Sequence, residues 1–194
     1  MFGVRTMPQM ERAVVRAAED KVVNVIMLDV ESPGGTAEKT PDLADAVRYA
    51  KSRKPVVAYI SNIGASAAYR VASQADKIIT NRGAMVGNIG TYMVVYDYSG
   101  MAQDMKIKAH VIRAGEFKGA GTPGTEITGA QIDDWQRTIN EVNEGFVQDL
   151  KRGRKLSMEQ ARALNDGRVH LEDGAKALGL IDGVRNKASG IKEP

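Results

Sequence analysis

Two short apolar runs, "VVNVIML" at residues 22–28 and "KPVVAYI" at 54–60, constrain this chain more than any other feature. A strand with one wet face alternates apolar and polar residues, whereas a run without alternation reads as a strand covered on both faces. Helical patterns flank these runs. "QMERAVVRAAED" places Met10, Val14, Ala17 and Ala18 at helical spacing. "TPDLADAVRYAKS" repeats that spacing through Leu43, Val47 and Ala50, with Thr40 as cap and Pro41 in the first turn. Strands alternating with helices imply crossovers between parallel neighbours. The expected fold class is therefore α/β, a layered sandwich of mostly parallel strands with flanking helices.

The alternation continues through strands expected at "DKIITN" (76–81), "IGTYMVVYDY" (89–98) and "HVIRAG" (110–115), with helices at 66–75 and 99–105. From Thr128 a long helix runs to Lys155, with Ile132, Trp135, Ile139, Val142, Phe146 and Leu150 along one side. Ser157 and Gln160 form a Ser-x-x-Gln capping box. "EDGAKALGLIDGV" reads as a helix ended by Gly179 before a last short strand.

With 194 residues, 43% of them apolar, the chain has material for one sizeable core. We expect a single domain over 1–194 with a flexible tail at 186–194, "NKASGIKEP". The 27 Lys and Arg are interspersed with 24 Asp and Glu, which indicates neither a nucleic-acid groove nor a polybasic membrane patch. No apolar run approaches the roughly 20 residues of a transmembrane helix, so a soluble domain is expected. The start, "MFGVRTMPQMER", lacks the pattern of a secretory signal. The absence of cysteine excludes disulfides, a thiol nucleophile and thiolate metal sites. With only His110 and His170 besides, no metal is expected.

The chemistry concentrates at two strand ends. "ESPGG" places Gly34 and Gly35 after an apolar strand, where open α/β sheets put their ligands. Glycines there either serve a tight turn or let backbone N–H groups approach a substrate carbonyl. In "SNIGASAAYRVASQ", Ser66 stands where the next strand gives way to an alanine-rich helix. It is either a helix N-cap or a nucleophile beside the N–H of Ala67. Ser32, Ser61 and Ser73 are rivals in weaker contexts. Neither His110 nor His170 sits in a triad pattern, which turns the search for a base toward lysine, whose amine needs desolvation or positive neighbours to act. Lys118 differs from the other lysines in following an apolar segment within the glycine-rich "RAGEFKGAGTPG".

"ESPGGT", "ASAAYRVASQADKIITN", "GNIGTY", "IRAGEFKGAGTP" and "ALNDGRVHLEDGAKALGLID" resemble, in this order and at similar intervals, the S49 peptidases, which comprise signal peptide peptidase A and phage head proteases. The resemblance covers about residues 10–185 and implies a Clp-protease-like fold. It also implies a Ser–Lys dyad with Ser66 as nucleophile and Lys118 as general base. Backbone N–H groups of Gly34, Gly35 and Ala67 would then form the oxyanion hole, and no cofactor is needed. Three departures stand out. Ala67 and Ala68 occupy positions where the family commonly has Gly-Gly. Asn88 stands where the family often has a serine that helps orient the lysine, a dyad-orienting role that its own amide could take. The family usually has a strand ahead of the equivalent of "MFGVRT", and this sequence is expected to start after it.

The resemblance further implies a homo-oligomeric ring with active sites shared between subunits. Its substrates would be signal peptides, unfolded peptides, or phage capsid and scaffold proteins. Such a domain belongs in the cytoplasm, in a phage prohead, or at a membrane through a segment outside this chain. Two rival readings are a crotonase-type acyl-CoA enzyme and a non-catalytic ring or shell protein that keeps the protease fold.

Overall fold

The computed structural model describes residues 6–186. From residue 187 onward the expected tail lies outside the described residues. The elements in chain order are α1 (Met7–Glu19), β1 (Ile26–Ser32), α2 (Thr40–Lys51), β2 (Val56–Ala65), α3 (Ala67–Ala72), β3 (Lys77–Thr80), β4 (Met85–Gly87), α4 (Ser99–Asp104), α5 (Gly129–Arg154), α6 (Met158–Ala163), β5 (Val169–His170), α7 (Glu172–Ala177) and β6 (Gly183–Val184). They fall into two compact units, Met1–Thr91 with Asn143–Pro194, and Tyr92–Val142.

The first unit holds the sheet, and β2 is its axis. Parallel β1 pairs along one edge of β2, from Ile26 opposite Val56 to Val30 opposite Ile60. The other edge takes β3 beside Val57–Ile60 and then β4 beside Ile63–Ala65, both parallel. Parallel β6 extends the sheet from β3, and antiparallel β5 extends it from β4. β2 is apolar on both faces because it is covered on both. Val56, Ala58 and Ile60 are fully buried, as are Val47 and Ala50 of α2, Ile78, Val86, Val147 and Leu150 of α5, and Leu180. Each large aliphatic group removed from water contributes about 1.5–3 kcal/mol. Tyr69 is also fully buried; its hydroxyl donates to the Leu180 carbonyl at 2.6 Å, and burial pushes its phenol pKa up.

The helix boundaries follow local chemistry. Thr6 and Gln9 form a capping box at α1 and Ser157 and Gln160 another at α6, where each residue's side chain bonds the other's backbone N–H. Gly179, at φ 72°, follows the C-cap of α7. At α2 the cap is Lys39, with Thr40 the first helical residue and its hydroxyl bonded back to the Thr36 carbonyl at 3.0 Å.

Three expected strands require correction. The first begins at Ile26 rather than Val22, and only one of its faces is covered: Met27, Asp29 and Glu31 are exposed, as are Val22 and Val25 ahead of it. Residues 89–98 and 110–115 form no strand at all. Their β-branched and aromatic side chains suit a pleated surface, but a ladder also needs a neighbouring backbone, and none of the described segments pairs with them. Tyr92, Met93, Val94, Val95, Tyr96 and Ile112 are left exposed. β4 and β5, at three and two residues, are too short to carry a period, and they went unforeseen.

In the second unit a bond across 30 residues joins a series of short turns. Asp97 accepts hydrogen bonds from the backbone N–H groups of Ile127 and Ser99 at 2.9 and 2.8 Å. The Ile127 bond, followed by those from Ser99, holds this carboxyl below the usual carboxylate range.

Candidate active site

Ser66 occupies the turn between β2 and α3. Its N–H donates to the Gly87 carbonyl at 2.8 Å, continuing the β2–β4 ladder, and its carbonyl accepts the Arg70 N–H at 2.9 Å to start the helix. Between these fixed points its backbone takes φ 52° and ψ −126°, a region that costs a non-glycine residue about 1–3 kcal/mol. Ser66 holds the N-cap position, yet its side chain makes no capping bond. A serine present only to cap would use extended backbone and spend its oxygen on the helix. Here the turn is strained and the hydroxyl is not used for capping, the arrangement by which a sharp strand-to-helix turn presents a nucleophile.

The "PGG" turn lies against this serine. Gly34 has φ 108°, and a Cβ built on it would meet Ser66 Cβ at 2.7 Å, the Ala65 carbonyl oxygen at 2.9 Å and the Ala67 nitrogen at 3.1 Å. Only glycine fits. Gly35 faces open space, with nothing within 4 Å of its virtual Cβ. Among the described residues the Gly35 and Ala67 N–H groups have no backbone partner, while the Gly34 N–H bonds the Ser32 hydroxyl at 3.2 Å. Asn88 follows β4 directly, at φ 49°, its side chain exposed and its N–H held by the Arg168 carbonyl at 2.6 Å. The structure thus brings Ser66, Gly34, Gly35, Ala67 and Asn88 to one end of the β1–β2–β4 ladder.

The rival serines have other work. Ser32 engages the Gly34 backbone, Ser61 donates to Glu31 at 3.2 Å, and Ser73 is fully buried with its hydroxyl on the Arg70 carbonyl at 2.7 Å. His170 lies half-buried in β5 with its ring against Gly87, and His110 is exposed in the other unit.

Lys118 belongs to the Tyr92–Val142 unit and is exposed. Its loop is a series of tight turns, with Lys118 N–H on the Gly115 carbonyl at 3.2 Å and Ala120 N–H on Phe117 at 3.1 Å. The burial expected to keep its amine neutral is absent within that unit, because consecutive i to i+3 turns leave no packed layer over the side chain.

Residues 48–193 match the family model for peptidase family S49. The chain belongs to this family. Among relatives of this S49 chain, a protein of Methanocaldococcus jannaschii named as a protease is 33% identical over 175 residues, covering 90% of the chain and 56% of that protein. Capsid assembly protease C of Escherichia phage lambda is 26% identical over 178 residues, 91% of the chain and 40% of its own length. The S49 chain thus spans about half the length of these relatives. A solved ClpP1 mutant from Listeria monocytogenes superposes over 96% of the chain and 87% of its own, with a TM-score of 0.62 at 14% identity. The fold is therefore Clp-like.

Among the described residues, no cluster of His, Asp or Glu could hold a metal ion, and no helix is long and apolar enough to cross a membrane. Sequence reasoning missed a buried polar network behind α3, centred on Arg70 and Asp149. The available signal was an arginine inside an alanine-rich helix and an aspartate next to Leu150 on the apolar side of the long one.

Proposed function

We propose that this S49 domain is a serine endopeptidase in which Ser66 is the nucleophile and Lys118 the general base. The observation that carries the reading is the Ser66 backbone, strained at φ 52° with the side chain left out of capping, packed against a glycine that tolerates no Cβ. The Ser66 oxygen attacks a peptide carbonyl as its proton passes to the Lys118 amine. The oxyanion forms beside the Ala67 N–H and the N–H groups of the Gly34–Gly35 turn. The protonated lysine then gives its proton to the leaving amine, and water releases the acyl group.

Lys118 exposed within its own unit favours a site completed on assembly. In this reading the subunits form a ring, one subunit's Ser66 meets its neighbour's Lys118, and desolvation of the amine comes with the contact. Substrates are extended or unfolded chains with small or apolar residues beside the cut, as in signal peptides or capsid and scaffold proteins. The assignment is supported by the family membership and by a phage relative named as a capsid assembly protease.

The test is covalent labelling. A fluorophosphonate should modify Ser66 stoichiometrically, and Ser66→Ala should fold normally while losing both labelling and peptidase turnover. Turnover by a well-folded Ser66→Ala protein would refute the assignment. An unlabelled wild type without turnover would favour the non-catalytic shell protein.

A further inference from the structure

Helix α3 is too short to hold its own position: its six residues make fewer than two turns, and isolated helices of that length are unstable in water. Strained backbone such as that of Ser66 persists only where its surroundings over-determine it. At the start of α3 the restraints are the two backbone bonds of Ser66. At its end lies a buried polar network. Arg70 Nε and Nη2 both reach Asp149 Oδ2, at 2.7 and 2.6 Å, in a pair only 6% and 3% exposed. Asp149 Oδ1 takes Arg48 Nη1 at 2.9 Å and Arg152 Nη2 at 3.3 Å. The buried Gln74 amide donates to the carbonyls of Asp149 and Arg70 at 3.0 and 3.2 Å. The Arg70 guanidinium lies 5.7 Å from the centre of the Phe146 ring, and a Cβ on Gly145 would come within 3.2 Å of its Nη2.

A buried ion pair is a poor source of net stability, since apolar residues of similar volume often serve as well; what it adds is direction. Arg70 stands one helical turn after Ser66 and accounts for the first bond of α3, so the pair fixes both the depth and the rotation of that turn. We propose that Arg70 and Asp149 are positioning residues for Ser66, their buried ion pair holding α3 at the angle that keeps the Ser66 oxygen presented for attack. The inference rests on the reading of Ser66 as the nucleophile.

Three variants test it: Arg70→Met, Arg70→Lys, and the double variant Arg70→Met with Asp149→Leu, which removes both members of the buried pair while Arg48 keeps its bonds to Asp45 and Gln74 and Arg152 stays at the surface. The readouts are kcat and KM on a peptide ester, the rate of fluorophosphonate labelling at Ser66, and the urea midpoint. A displacement of about 1 Å costs roughly a hundredfold in rate. The double variant should therefore keep its midpoint and KM while kcat and labelling fall about 10- to 100-fold, with Arg70→Lys intermediate. If Arg70→Met fails to fold, the other two carry the test. A purely structural role would shift the midpoint and leave kcat per labelled site unchanged, which overturns the proposal, as does a double variant reacting at the wild-type rate. Wild-type protein that hydrolyses the ester without labelling at Ser66 instead overturns the nucleophile assignment.

Discussion

Replacing Gly34 by alanine should disable the site without touching any group that reacts. The new Cβ would lie 2.7 Å from Ser66 Cβ and 2.9 Å from the Ala65 carbonyl oxygen, and the residue would have to hold φ 108°. Positive φ in a non-glycine residue costs about 1–3 kcal/mol, and overpacking of this kind about 1–3 kcal/mol more. The protein can relieve part of this by moving the turn. Restoring carbon–carbon contact to about 3.5–4 Å requires a shift of roughly 1 Å. A displacement of that size costs about a hundredfold in rate, and loss of one oxyanion donor about 10²–10³. Gly34→Ala should therefore lower kcat/KM on a peptide ester by about 10²–10³ and shift the urea midpoint downward. The adjacent substitution is the control: Gly35→Ala meets nothing within 4 Å, and its stability should stay within about 0.5 kcal/mol of wild type. Wild-type kcat/KM in Gly34→Ala would refute the packing argument. So would a Gly35→Ala protein destabilised as much as Gly34→Ala.

Lys118→Ala and Lys118→Arg should both be inactive, because a guanidinium stays protonated and cannot serve as base. Mixed and reassembled Ser66→Ala and Lys118→Ala subunits should recover part of the activity if sites are shared, and none if each site lies within one subunit. Gly153→Ala places a Cβ on the carbonyl oxygen of the buried Ser73, and calorimetry should show a loss of about 1–3 kcal/mol. For Asp182, burial pushes the carboxyl pKa up, but the paired bonds from Arg154, the Ile78 N–H and the Arg154 charge outweigh it, leaving the pKa below the ordinary carboxylate value. The stabilisation this gives is present above that ordinary value and fades as pH falls through the lowered one. Urea titrations should therefore find Asp182→Asn less stable than wild type at neutral pH, with the gap closing in acid; a gap independent of pH would contradict the linkage.

Much of the first unit was legible because its elements are set by local rules. "KPVVAYI" is apolar on both faces and became the covered axis of the sheet, and the Ser157–Gln160 box started a helix from four residues of sequence. The ordered S49 motifs likewise gave the family before any geometry. Where the sequence misled, the missing term was a neighbour. Residues 89–98 have strand composition, but a strand is a relation between two backbones, and composition names only one of them. The serine's case shows the same division. The chain order determined that Ser66 ends one element and begins another, so it could be a cap or a nucleophile. Tertiary structure decided what those roles required: Gly87 holds its N–H, Gly34 closes against it, and its backbone is forced to φ 52°. None of these has a local cause, since Gly34 and Gly87 come from separate elements and meet Ser66 only because β1 and β4 pair on opposite edges of β2. The Arg70–Asp149 pair joins residues 79 apart in the chain, and it could be seen only once α3 and α5 were packed together.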